Sequence, residues 1–192
     1  MSTGNPKSVR LVYYGKIAES NTNLIRNAGV AGVLNRSLSR KSNLVNALQL
    51  AGDRGWTIEE RHEKRVTHVD SIRLELQTDA GVVAVDGAVV LGKPRLVGVD
   101  GIAIEAPLSG HLTFLKNDDV PGVIGHVGNV LGQNGINIGN FSLGRKDGEA
   151  SDDQPLEAVS VVETDAAVPD PVLVELLKNQ AIKMARPVEF IS

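Results

Sequence analysis

Not one cysteine occurs among the 192 residues. Disulfide frameworks, cysteine nucleophiles and thiolate metal sites are therefore excluded together. Aromatic side chains make up only 3% of the chain, which leaves little to stack bases or sugars on. The core must be filled by Val, Leu, Ile and Ala. Basic residues nearly balance acidic ones, 20 against 23, and no basic block stands out. A protein that holds nucleic acid by neutralising phosphates normally carries such a patch, so no nucleic-acid partner is expected. Apolar runs fall short of the roughly 18 residues that a membrane helix needs. The opening MSTGNPKSVRLVYYG has no apolar signal core. No membrane association is expected, and a cytoplasmic location is. Glycine is plentiful at 20 residues, yet no two stand two apart, and none precedes Lys-Ser or Lys-Thr. The dinucleotide fingerprint and the P-loop are thereby both excluded.

The polar and apolar pattern divides the chain into two domains, 1–107 and 108–192, of overall α+β class. VRLVYYGKIA (9–18) reads as a strand. A helix follows, with Ser20 or Thr22 as its N-cap and Leu24, Ile25, Ala28, Ala31 and Leu34 at helical spacing. A second helix starts near Ser42, with Leu44, Val45, Leu48 and Ala51 on one face and Gly55 as its C′ residue. From Trp56 onward apolar and charged residues alternate, as in half-buried antiparallel strands. The second domain reads strand, helix, strand, strand, helix, strand. That βαββαβ order is the ferredoxin-like pattern, a four-stranded antiparallel sheet with two helices on one face.

The most informative stretch is NDDVPGVIGHVGNVLGQNGINIGNFSLGR, residues 117–145. Pro121 is expected at the first helical position and Gly135 just past the end. Gly122, Gly125, Gly128 and Gly132 recur every three or four residues and so share one side of that helix. Each costs a helix roughly 0.8–1 kcal/mol relative to Ala, so something must offset them. Either tight packing inside the domain or the approach of another subunit would do so. Ahead of the helix, unpaired N–H groups and the positive dipole end suit a small carboxylate. Asn117 and Asp119 add an amide and an acceptor for an α-amino group. The plainer alternative is that Asp118 or Asp119 simply caps the helix.

DDVPGVIGHVGNVLGQNGINIGNFSLGR resembles the core of ACT domains at the C-terminus of D-3-phosphoglycerate dehydrogenases. Upstream, VYYGKIAESNTNLIRNAGVAGVLN, NLVNALQLAGDRGWTIEE and VDGAVVLGKPRLVGVDGIAIEAPLSGHL resemble the intervening domain that precedes ACT in the long form of that enzyme. The resemblance runs from about residue 9 to 191. It implies the regulatory part of an NAD-dependent oxidoreductase of L-serine biosynthesis, with NAD bound only in catalytic domains absent from this sequence. It further implies ACT–ACT pairing into a homodimer or higher oligomer, with L-serine or a related amino acid as effector. On the motif, Asn117, Asp119 and Asn137 fall at effector-contacting positions, and Pro121 and Gly122 shape the turn. The β-type subunit of an iron–sulfur L-serine dehydratase is similar in combining the two domain types, and a ligand-free dimerisation module is a third reading.

The chain departs from the family in one respect. Asp100-Gly101-Ile102-Ala103 stands where phosphate-binding members carry an Arg-His pair, so no anion site is expected in the first domain. Arg40, Lys41 and Arg95 are expected to be solvated surface. His62, His68, His111 and His126 fit neither a catalytic triad nor a metal-ligand spacing. No catalytic residue, cofactor site or metal site is expected, and the acidic run 147–153 reads as a loop.

Overall fold

A computed structural model describes residues 4–37, 42–64, 69–148 and 155–190. Arg40, Lys41, His68 and most of the acidic loop lie outside the described residues. Two compact units, 1–91 and 92–192, make up the chain.

In the first unit, β1 (Pro6–Tyr14) leads through a 3-10 turn, Gly15–Glu19, to α1 (Asn23–Ser37) and α2 (Ala47–Gly52). The strand expected over 9–18 thus stops at Tyr14, because Gly15 turns the backbone to φ +81°. Thr22 stands at the start of α1, where its carbonyl accepts from the Arg26 N–H at 2.9 Å. The second helix begins at Ala47, later than expected. Ahead of it Asn43 and Asn46 hold a turn, each side chain accepting from the other's backbone N–H at 3.0 and 2.8 Å. Leu44 and Val45 belong to that turn and not to an apolar helix face; Val45 is 91% exposed.

β2 (Thr57–Glu63) then runs parallel to β1, a correction to the antiparallel reading. The helices between the two strands form the crossover that a parallel pair requires. β3 (Ser71–Thr78) and β4 (Gly81–Val90) are antiparallel, giving the order β2-β1-β3-β4 within this unit. Val9, Leu11 and Tyr13 alternate onto the face packed with Val30, Leu34, Ala47 and Ala51.

The second unit opens with a hairpin, β5 (Lys93–Val99) and β6 (Ile102–Pro107). After it come β7 (Gly110–Asp118), α3 (Val123–Gln133), β8 (Ile138–Arg145), β9 (Glu157–Thr164), α4 (Asp170–Leu176) and β10 (Ile182–Phe190). The antiparallel order β10-β7-β9-β8 is ferredoxin-like, as expected, and it leaves β8 as an outer strand. On the helix-covered face Leu115, Val162, Val127, Leu131, Val172 and Leu176 form the core. Leu112, Phe114, Val159 and Val161 alternate onto the other face and are buried too. The hairpin covers that side at β8, where a side chain on Gly144 would run into the Ala103 carbonyl and come within 3.0 Å of Ile104 Cβ. By compactness residues 93–107 group with the second unit.

α3 starts at Val123, not at Pro121. Gly122 is the N-cap in a left-handed conformation, φ +94°, which breaks the helical path behind it. At the far end Gly135 adopts φ +70° immediately after the C-cap Asn134, as expected of a C′ glycine. Among the described residues no helix is long and apolar enough to cross a membrane.

Candidate functional site

The register of the second sheet sets Asn117, Ala158 and Arg145 abreast on β7, β9 and β8. They occupy the helix-covered face at the end of the sheet where β7 turns into α3. The turn itself is fixed by backbone bonds: the Asp119 N–H donates to the Leu156 carbonyl at 2.7 Å and the Asp118 N–H to Ala181 at 2.8 Å. Between this turn, the first turn of α3 and the end of β8 lies an open cavity of about 300 Å³. Asn117, Asp119, Pro121 and Gly122 line it, together with Val120, Val123, Ile124, Leu143 and Arg145.

Asn117 is buried and its orientation is set by two bonds. Its Oδ1 accepts from the Ser160 hydroxyl at 3.2 Å, and its Nδ2 donates to the Asp118 carbonyl at 2.9 Å. Neither acidic residue of the loop caps α3, whose N-cap receives no side-chain bond. Asp118 is drawn away to Lys183 Nζ at 2.8 Å. Asp119 turns to Arg145, with Nε and Oδ2 3.2 Å apart. The cavity thus carries one anion and one cation on a mostly aliphatic wall, beside unbonded helix-end donors. That combination suits a small zwitterion.

Asn137 does not join this group. Its Nδ2 donates to Asp165 Oδ2 at 2.9 Å, just before β8, and the register places Ile138 beside Thr164 and His111. This is the opposite end of the sheet from Asn117. Arg145, conversely, joins the site without having been expected there. Its signal was the alternation of β8, which puts Phe141, Leu143 and Arg145 on one face, but only the pairing register brings that face to Asn117.

The glycines of α3 also find their setting. His126 Nε2 lies 3.1 Å from the Leu176 carbonyl and marks the flank toward α4. Gly125, Gly128 and Gly132 fall on the opposite flank, where a Cβ would meet nothing within 4 Å. Packing inside the domain therefore does not account for them.

A second polar cluster, in the first unit, is closed on itself. Glu60 on β2 accepts from Tyr13 Oη at 2.9 Å, Thr22 Oγ1 at 3.1 Å and Arg26 Nη1 at 3.0 Å. Burial pushes the Glu60 carboxyl up, but the three hydrogen bonds and the Arg26 charge outweigh it, so it titrates below its usual range. The Tyr13 phenol is pushed up to about 12 by burial and by its bond to Glu60. Every strong group here has a protein partner, so the cluster fastens α1 to the crossover strands. His62 Nδ1 lies 2.9 Å from the Ala18 carbonyl, and Arg95 pairs with Glu105 at 3.4 Å.

Comparison with known families settles where these two units belong. The profile of the D-3-phosphoglycerate dehydrogenase intervening domain matches residues 1–100, and the ACT domain profile matches 111–181. This chain belongs to the D-3-phosphoglycerate dehydrogenase intervening-domain family. With its ACT domain, it has the make-up of that enzyme's C-terminal regulatory region. D-3-phosphoglycerate dehydrogenase of Methanocaldococcus jannaschii is 31% identical over 94% of this chain and 33% of its own length. That of Bacillus subtilis is 34% identical over 89% and 34% respectively. The chain thus spans about a third of the length of these curated relatives. The probable L-serine dehydratase β chain of Bacillus subtilis is 25% identical over 90% of this chain and 77% of its own length. In the ACT domain the cavity follows the first strand, and Asn137 opens the outer strand at the other end.

Proposed function

We propose that this chain is the amino-acid-sensing and self-associating region of an NAD-dependent D-3-phosphoglycerate dehydrogenase, with L-serine as its effector. The observation that carries this reading is the cavity formed by Asn117, Asp119, Pro121 and Gly122 beside an outer strand. Its acid and its donors match the ammonium and carboxylate of an amino acid.

The position of Asn137 fits the same reading. A two-fold axis normal to the sheet would set β8 antiparallel to the partner's β8 and extend the sheet across the seam. The Arg145 end of one strand then meets the Ile138 end of the other. Asn137 from the second copy thereby reaches the cavity of the first. The empty glycine flank of α3, on the same side as β8, lets the two helices approach. L-serine held between two copies stabilises the paired state only to the extent that it binds that state more tightly. In the longer enzyme, that state is the one in which the catalytic domains do not complete their active sites.

We assign no NAD site to these residues, since no two glycines are two apart and the dinucleotide fingerprint is missing. NAD binding is assigned to other parts of the longer protein, which we place in the cytoplasm. A second reading, the β chain of an L-serine dehydratase, is favoured by the larger share of that relative that is covered, 77%, but by a lower identity, 25%. Calorimetry of the chain with L-serine and glycine tests the sensor reading. Saturable heat with L-serine is expected, and no binding of either amino acid would overturn it.

A further inference from the structure

An ion pair lies among the residues lining the cavity. Arg145 ends the outer strand, its side chain is 65% exposed, and its Nε lies 3.2 Å from Asp119 Oδ2. Asp119 is the better fixed partner, 25% exposed and anchored by its own backbone N–H on Leu156. Two lysines near this end of the sheet are paired elsewhere. Lys183 holds Asp118, and Lys116, on the opposite face of β7, holds Asp100 and Glu157. Arg145 is therefore the cation among the cavity-lining residues, and Asp119 is the anion.

Resting on the amino-acid reading above, we propose that the Arg145–Asp119 pair is the ligand-free closure of the site. A zwitterion opens it by inserting between the two charges. The ligand ammonium takes the Asp119 carboxylate, and the released guanidinium turns its two-nitrogen edge to the ligand carboxylate. One ion pair is exchanged for two charge-assisted contacts, one of them bidentate. Opening costs little because an exposed pair contributes little to stability. Arg145 is thus a specificity residue: it makes the site read the carboxylate as well as the amine. Decarboxylated ligands lose half of the exchange and leave Arg145 nothing to turn to.

The test is calorimetry on the whole chain with L-serine and with ethanolamine, which is L-serine without its carboxylate. Wild type should bind ethanolamine at least tenfold more weakly than L-serine. Arg145→Met should lose at least tenfold in L-serine affinity, while ethanolamine binds within twofold of wild type or more tightly, since Asp119 is freed. Arg145→Lys should recover part of the loss. The Arg145 Nε–H resonance in nitrogen-15 spectra should move as L-serine binds, and a resonance unmoved at saturating L-serine would overturn the exchange. Unchanged L-serine affinity in Arg145→Met, or equal losses for both ligands, would overturn the role given to Arg145 while leaving an amino-acid site standing. Failure of wild type to bind L-serine by either readout would overturn the amino-acid reading itself, and this inference with it.

Discussion

Replacing Gly128 separates what α3 does for its own fold from what it does for a partner. Beyond the backbone of its own helix, no described atom lies within 4 Å of where a Gly128 Cβ would stand, and the same holds for Gly125 and Gly132. Within one copy, Gly128→Ala therefore gains helix propensity without a clash, about 0.8–1 kcal/mol. For a unit of this size that corresponds to a melting shift of roughly 4–8 °C. Leucine is nearly as good a helix former as alanine. Gly128→Leu should thus fold as well as wild type, yet set a branched side chain where a second backbone is to approach. Urea denaturation at high dilution isolates the first effect, and sedimentation velocity over a concentration series isolates the second. We expect Gly128→Ala to be stabilised when dilute and Gly128→Leu to be folded but monomeric at concentrations where wild type associates. Wild-type association by Gly128→Leu would refute the assignment of this flank to the seam. Destabilisation of Gly128→Ala when dilute would show that the flank is already occupied within the copy.

Three further outcomes follow from other contacts. Glu60 has its pKa lowered in the fold, so its stabilisation is present above the ordinary carboxylate range and is lost as pH falls through the folded value. Glu60→Gln should cost about 1–3 kcal/mol at pH 7 and progressively less as pH falls below the ordinary carboxylate range, as read by denaturant melts; a cost that does not change with falling pH would contradict the cluster's charge. Gly144→Val should destabilise the second unit by several kcal/mol, on the order of 2 or more, because its side chain meets the Ala103 backbone. Thermal melts check this, and a melt like wild type's would show that the hairpin can move aside. Asn137→Ala should weaken L-serine binding by about 1–3 kcal/mol through a lost buried hydrogen bond, and calorimetry that finds no change would remove Asn137 from the site.

The second domain was largely legible because its signals are local. Pro121 and Gly122 before α3 and Gly135 after it mark its boundaries within a residue or two. What escaped reading depends on partners distant in sequence. Exposure alternates along 57–63 in the same way whether the neighbour is parallel or antiparallel, so the parallel pairing of β2 with β1 left no trace. The first helical position was misplaced because a proline that opens a turn looks like one that opens a helix; φ at Gly122 decides between them. Leu44 and Val45 have helical spacing, but the reciprocal bonds of Asn43 and Asn46 compete successfully for that backbone. Along the cavity, Asn117, Asp119, Pro121 and Gly122 share one short stretch, so the sequence already groups them. Arg145 was missed because strand register alone brings it there.

The central claim is that one effector site is shared between two copies, and complementation tests it most directly. Asp119→Ala and Asn137→Ala would each be titrated with L-serine alone, at a concentration where neither binds, and then after mixing and re-equilibration. A site built from Asp119 of one copy and Asn137 of the other is intact once in every mixed dimer. The account predicts that mixing restores L-serine binding, at up to half a site per mixed dimer chain. Two variants that bind no L-serine apart and none together, while still associating with each other, would contradict it.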